Sequence, residues 1–375
     1  MKVFDLKTRI GKCDTFADFA KEYSLDANDL VVTQSFLYEP FMKNLGLPCR
    51  FVMQDKYGSG EPSDEMMNAI LKDVKDFACK RVIAIGGGTV IDISKVFALK
   101  GIDNVTDAFE RKIPIVKDKA LLIVPTTCGT GSEVTNISIA EIRSKHTKMG
   151  LADDAIIADD AVLIPELLKG LPFKFYAFSA IDALIHATES YVSPKASAYT
   201  RLFSREAIHI ILDVFNGIVK NGEEYRMQRF DDMLVAANFA GIAFGNAGVG
   251  AVHAMSYPLG ANYHVPHGEA NYQFFTEVFR FYNKRNPDGC IKELNALLSK
   301  ELQLPEDASY ETIYTKLAEL LDHLVSKRPL HEFGMKEPET DSFAHSVIET
   351  QQRLLKNNYV PMSVEEIKSI YSLLF

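Results

Sequence analysis

Apolar positions along this chain follow two different periods, and the change between them falls near residue 170. Before it, short continuous apolar runs predict buried strands at 30–33 (LVVT), 50–54 (RFVMQ), 81–85 (RVIAI) and 121–124 (LLIV), because a strand covered on both faces has no need of polar alternation. Helical spacing separates these runs. Met66, Met67, Ile70, Leu71 and Val74 share one stripe of a helix running to about residue 78. Ser63 opens it as a cap, with Asp64 and Glu65 in the first turn where the helix dipole favours acid. A further helix is predicted over 90–99. Strands alternating with helices through about residue 165 predict an α/β domain with a parallel sheet. After Gly170-Leu171-Pro172 strand signals become scarce. Amphipathic runs at about 175–191, 199–219, 225–240, 289–300, 310–326 and 343–355 predict helices, and Ser363-Val-Glu-Glu366 is a capping box that opens a last one. The expected organisation is an α/β domain over 1–169 and an all-helical domain over 170–375.

Composition narrows the partners. A length of 375 residues with 47% hydrophobic content suffices for two sizeable cores, and a net charge of −9 counts against nucleic acid or an anionic membrane as the main partner. The N-terminal MKVFDLKTRIGKCD has no apolar signal core, and no segment approaches eighteen consecutive apolar residues. Cys13, Cys49, Cys79, Cys128 and Cys290 are odd in number, widely spaced and form no CxxC pair. A reduced, cytoplasmic chain with no cysteine-ligated zinc is expected.

Two loops carry candidate phosphate chemistry. The 81–85 strand runs directly into Gly86-Gly87-Gly88-Thr89 and then a helical pattern, a layout that aims backbone N–H groups at an anion. It is not a GxGxxG fingerprint. A second strand, 121–124, leads into PTTCGTGSE (125–133), whose hydroxyls and exposed amides suit a pyrophosphate. Two such cradles at strand ends of one parallel sheet predict a nucleotide lying across those ends.

The second half carries candidate metal chemistry. Asp182 and His186 lie four apart, so on a helix both project from one face. The glycine-rich stretch 241–271, GIAFGNAGVGAVHAMSYPLGANYHVPHGEAN, adds His253, and His264 and His267 flank Val265-Pro266, so either could complete the set. One carboxylate and three imidazoles suffice for a divalent ion. With no thiolate present, Fe²⁺, Zn²⁺ and Mn²⁺ are all chemically allowed. Taken singly, Asp182 and His186 read more readily as an ordinary helical polar pair, His253 as a satisfied core histidine, and His264 and His267 as a turn surface. A cleft between the domains would bring nucleotide and metal together as in a metal-assisted redox enzyme.

In combination, order and spacing, GGGTVIDISK, PTTCGTGSEVT, DALIHATESY and HAMSYPLGANYHVPHGEAN resemble the iron-containing (group III) alcohol dehydrogenase family over nearly the whole chain. The resemblance implies a dehydroquinate synthase-like fold: a Rossmann-like NAD-binding domain followed by a helical metal-binding domain. It implies that Asp182, His186, His253 and His267 hold the ion, by family habit Fe²⁺ with Zn²⁺ possible. Gly87, Gly88, Thr89 and Asp92 would approach the pyrophosphate and nicotinamide ribose, and Thr126, Thr127, Thr130 and Ser132 would line the second cradle. Lys148 would reach the cofactor from the next hairpin. YGSGEPSDEM (57–66), RSKHTKMG (143–150) and NNYVP (357–361) carry the flavour of members that interconvert 4-hydroxybutyrate and succinate semialdehyde with NAD. That activity in a homo-oligomer, with no nucleic-acid or membrane partner, is the expectation.

Two departures matter. After Val32-Thr33 members often carry an aspartate, a ribose-hydroxyl acceptor that disfavours a 2′-phosphate; Gln34 stands here, which weakens the inference of NAD over NADP. At 257, where many members have a histidine thought to lie near the nicotinamide, this chain has Tyr257. Tyr257 or His264 is the candidate proton relay on proximity to the ligands. A substrate carboxylate also calls for a cation, and spacing does not choose among Arg143, Lys145, His146 and Arg353. The rival readings are a broad-specificity butanol or propanediol dehydrogenase, a sugar-phosphate cyclase or glycerol-type dehydrogenase, and a non-catalytic nucleotide-binding scaffold. The absence of Lys and Arg from 241–271 counts against phosphate substrates, and the presence of all four donors counts against the scaffold.

Overall fold

In the computed structural model, which describes residues 3–145 and 147–375, the apolar runs of the first half become one six-stranded parallel sheet. Its strands are β1 (Arg9–Lys12), β2 (Asp29–Thr33), β3 (Arg50–Met53), β4 (Arg81–Gly86), β5 (Ala120–Pro125) and, after an antiparallel hairpin β6 (Ile137–Ile142) and β7 (Thr147–Ala152), β8 (Asp160–Leu163). The spatial order is β1-β8-β5-β4-β2-β3, with every pairing parallel. Successive side chains of a strand point to opposite faces, and here both faces are buried. Leu30, Val32, Val82, Ala84, Leu121 and Ile123 enter one core, while Val31, Ile83, Ile85, Leu122 and Val124 enter the other. Helices α1 (Phe16–Glu22), α2 (Ser35–Phe41), α3 (Asp64–Val74), α4 (Gly88–Phe97) and α5 (Val105–Phe109) cross between the strands. This is the expected Rossmann-like, doubly wound arrangement.

The strand β1 escapes sequence inspection for a physical reason. It is an edge strand whose residues are mostly exposed, so it lacks the apolar run that marks its neighbours. At the other end of the parallel ladder, Arg81 donates both to Asp29, which is buried, and to the carbonyls of Tyr23 and Ser24. That pair ties the first residues of β2 and β4 together.

The chain divides into two units, Leu6–Leu171 and Pro172–Phe375, the second also holding the N-terminal residues up to Asp5. Asp5 is bound there through a two-way bond with Asn246. In the second unit the described residues are helical: α6 (Phe173–Val192), α7 (Ala198–Asn221), α8 (Phe230–Ala247), α9 (Ala251–Tyr263), α10 (His267–Arg285), α11 (Ile291–Glu301), α12 (Tyr310–Leu324), α13 (Glu339–Thr350), α14 (Gln352–Leu355) and α15 (Val364–Leu374). The capping box at Ser363 and Glu366 is present as predicted. α6 is buried on nearly all sides, packed by α7, α8 and α10, the condition of a central helix. The glycine-rich 241–271 stretch, to which periodicity assigns no element, is mostly helix. It forms the end of α8, all of α9 and the start of α10. No single helix among the described residues is long and apolar enough to cross a membrane.

Candidate metal centre and dinucleotide cradle

Three helices of the second unit converge on one polar spot in an apolar interior. Asp182 and His186 project from α6 one turn apart, His253 from the first turn of α9, and His267 is the first residue of α10. One donor atom from each lies within 4.8 Å of the others. Asp182 oxygens stand 4.0 Å from His186 Nδ1, 3.8 Å from His253 Nε2 and 3.9 Å from His267 Nε2. These separations are too long for hydrogen bonds, and they suit ligand atoms arranged around one ion with bonds of about 2.1 Å. Burial alone would push the Asp182 carboxyl up, but the facing imidazoles of His186, His267 and His253 and the Asn271 amide outweigh it and hold it low.

A residue that sequence reasoning missed decides how His253 presents itself. Glu189, on α6 and buried, takes His253 Nδ1 at 2.6 Å on one carboxylate oxygen and the Val252 N–H at 2.8 Å on the other. A carboxylate oxygen accepting at Nδ1 fixes the tautomer with the proton there, leaving Nε2 as a lone-pair nitrogen facing the cluster. That Nε2 is buried and has no hydrogen-bond partner, and neither has the buried Oδ1 of Asn271. Buried acceptors without donors are costly, and a cation among them resolves the cost at His253. The donor set therefore fits a divalent metal.

Glycines let these helices close up. A Cβ on Gly268 would fall 2.6 Å from the Phe178 carbonyl oxygen and 3.4 Å from Asp182 Cβ, so only glycine lets α10 approach α6 this closely. At the start of α9, Asn358 Oδ1 accepts the Ala251 N–H at 2.9 Å and Glu189 the next one, which makes a helix cap from two buried side chains. Tyr257 is half-buried with its ring 6.3 Å from that of His267. His264 is exposed, in the left-handed conformation that ends α9, and is not one of the clustered donors.

In the first unit, the glycine turn after β4 lies against the loop after β5. Gly87 caps α4 with no side-chain bond, and a Cβ there would meet Thr127 at 3.3 Å; one on Gly88 would meet Thr130 at 3.4 Å. Thr126 is buried and its N–H bonds the Gly86 carbonyl, while buried Thr127 Oγ1 has no hydrogen-bond partner. Bare amides at a helix start beside an orphaned hydroxyl fit a phosphate group. Asp92, on α4, and Ser132, after β5, are bonded to each other. Ser132 donates to Asp92, which also accepts the Ile139 N–H. Fully buried Lys95 donates to Ser132, Thr135 and the Ile137 carbonyl. This network pins the loop and the β6–β7 hairpin to α4. Burial drives the Asp92 carboxyl up and the Lys95 ammonium down, each opposed by the other's charge. Lys95 was readable as a lone cation in a helix whose only other charge is Asp92.

The remaining candidates are held by neighbours. Thr89 donates to the Gly60 carbonyl, Lys148 pairs with Glu61 at 2.6 Å, and Gln34 donates to Gln54 at 3.1 Å. Of the cations considered for a substrate carboxylate, Arg143 is paired with Glu65 and Lys145 with Glu110, Arg353 is exposed, and His146 lies outside the described residues.

Residues 7–165 match the family model described as iron-containing alcohol dehydrogenase, and residues 176–375 match that of the C-terminal part of the same family. The chain is 53% identical to a 4-hydroxybutyrate dehydrogenase of Clostridium kluyveri over the full length of both. It is 32% identical to long-chain-alcohol dehydrogenase 1 of Geobacillus thermodenitrificans, over 84% of this chain and 80% of that one. Its fold matches the crystal structure of sulfoacetaldehyde reductase from Bifidobacterium kashiwanohense in complex with NAD⁺ with a TM-score of 0.85, at 21% identity, covering 100% of this chain and 98% of that one.

Proposed function

Since the chain belongs to the iron-containing alcohol dehydrogenase family, we propose that it interconverts 4-hydroxybutyrate and succinate semialdehyde by NAD-linked hydride transfer. The observation that carries the chemistry is the buried cluster of Asp182, His186, His253 and His267, with Glu189 turning the Nε2 of His253 into it. The full-length identity to the hydroxy-acid enzyme supports the substrate.

When bound, Fe²⁺ supplies Lewis acidity at the aldehyde carbonyl and the nicotinamide supplies the hydride. The chain's own residues do the rest. Three neutral imidazoles and one carboxylate contribute a single negative charge, which leaves a divalent site net positive and favourable to an alkoxide. Asn271 donates to Asp182 at 2.7 Å and lies 3.1 Å from His267 Nε2, so it orients a donor on α6 against one on α10. Gly87 and Gly88 at the start of α4, with Thr126, Thr127 and Thr130 opposite, hold the pyrophosphate. For the proton we assign the phenol of Tyr257, whose ring lies 6.3 Å from that of His267, over exposed His264. Tyr257→Phe is expected to keep its metal and lose about 100-fold in kcat near neutral pH. Full turnover across the pH range would remove Tyr257 from the role.

The setting is cytoplasmic and the assembly a homo-oligomer with no nucleic-acid or membrane partner. Five free cysteines and a net charge of −9 support the first and last points. Exposed Tyr199 and Leu202 on α7 support the second.

The decisive assay follows NADH oxidation with succinate semialdehyde and with butyraldehyde, before and after chelation and Fe²⁺ repletion. Metal-dependent turnover favouring succinate semialdehyde by about 10-fold or more in kcat/KM is expected. Equal or better turnover of butyraldehyde would replace the hydroxy-acid reading with a general aldehyde reductase. Undiminished activity of metal-free protein would remove the metal centre.

A further inference from the structure

The geometry points to Asp55, in the 3₁₀ turn that follows β3 beside Gln34, as the residue that selects NAD(H) over NADP(H). This inference rests on the dinucleotide reading above. A dinucleotide whose pyrophosphate sits at a glycine turn extends its adenosine ribose toward the end of the neighbouring strand, where an acidic side chain accepts the 2′-hydroxyl and repels a 2′-phosphate. Here the turn follows β4, whose neighbour on one side is β2, and β2 is flanked in turn by β3.

Residue 34, the first after β2, cannot supply that charge. Gln34 is neutral, and its NH₂ is turned along the sheet to donate to Gln54. Gln54 is 1% exposed and itself donates to the Gly58 carbonyl and to Met66. The register of β2 against β3 pairs Thr33 with Met53, so the chain just past β2 runs beside Gln54 and Asp55. Asp55 uses that proximity: its Oδ1 accepts the Ser35 N–H at 2.7 Å. A carboxylate from the turn just after β3 thus stands against the backbone just beyond β2, where an aspartate at position 34 would otherwise bring one. Asp55 is exposed and keeps a second oxygen for a ribose hydroxyl. Phe36, the next residue after Ser35, is 57% exposed, an aromatic face that water does not favour and an adenine ring would cover. Exposed Lys56 is adjacent in sequence and of opposite charge, so removing the carboxylate leaves this turn with a cation alone.

The test measures dissociation constants of NADH and NADPH for the purified full-length chain by cofactor fluorescence. The wild type is expected to bind NADH at least about 30-fold more tightly than NADPH, the scale of an uncompensated like-charge contact. Asp55→Asn keeps an oxygen for the Ser35 N–H, so α2 stays in place, and it is expected to bring the two constants within about 3-fold by strengthening NADPH binding. Phe36→Ala is expected to weaken both cofactors alike and leave their ratio unchanged. A wild type that binds both equally, or an Asp55→Asn protein that keeps the full preference, would overturn the assignment to Asp55 while leaving the dehydrogenase reading intact. Failure of the wild type to bind either dinucleotide would overturn that reading itself.

Discussion

Asp182→Ala protein is expected to purify with little metal and to lose at least about 10³-fold in kcat/KM, because Lewis-acid stabilisation is worth several kcal/mol at the transition state. Asp182 is the only carboxylate among the four clustered donors, and its oxygens lie within 4.0 Å of all three imidazoles. Removing it leaves three neutral nitrogens to balance a dication in an apolar interior. The fold itself should survive, since Asp182 packs inside a long central helix whose stability comes from its apolar surroundings. Asp182→Asn separates charge from shape, as it keeps the volume and removes the charge. Metal content by elemental analysis and kcat/KM would be read on the same preparation. Wild-type metal content in both variants would mean that the ion, if any, sits elsewhere.

Glu189 is the second decisive residue, and it acts without touching the ion. Glu189→Gln is expected to weaken metal affinity by about 10- to 100-fold, the usual effect of losing a carboxylate behind a ligating imidazole. A glutamine can still accept one bond, but its NH₂ meets either His253 Nδ1 or the Val252 N–H with donor facing donor. Glu189→Ala strands both buried groups and is expected to destabilise the metal-free protein by about 2–4 kcal/mol as well. Chelator competition reads the affinity and thermal unfolding of the metal-free protein reads the stability. A purely structural role would lower the unfolding temperature and leave the affinity of Glu189→Gln unchanged.

The clearest sequence signals were those confined to a single element. Asp182 and His186 are one helical turn apart, so spacing alone places them together. The strand-then-glycine layout of 81–89 identifies a helix start that faces outward from a sheet, and the fold has one there. Glu189 lay in plain view on the same helix but gave no signal, because its partners are 63 and 64 residues away on α9. The glycines of 241–271 invite a reading as loop. Gly268 instead sits within a helix, where it allows backbone to approach backbone, a function that depends on a neighbour the local pattern cannot reveal. The bond of Ser132 to Asp92, and the one Ser132 accepts from Lys95, gave no signal in sequence, since a buried ammonium finds its acceptors on elements distant along the chain. Asp55 escapes notice for a related reason: its place beside Ser35 follows from sheet register and not from proximity along the chain.

The cap on α9 has a consequence for the order of events during synthesis. The amide of Ala251, two residues before His253, is satisfied by Asn358, a contact spanning 107 residues of chain. Asn358 also receives the hydroxyl of Tyr282 and donates to the Val360 carbonyl, so it arrives as part of a fixed segment. A ribosome has made every ligand long before it makes this support. A nascent chain therefore completes the cap on α9 only after α11 to α14 have been translated. Premature truncation ahead of Asn358 would leave a complete set of ligands with the first amide of α9 uncapped.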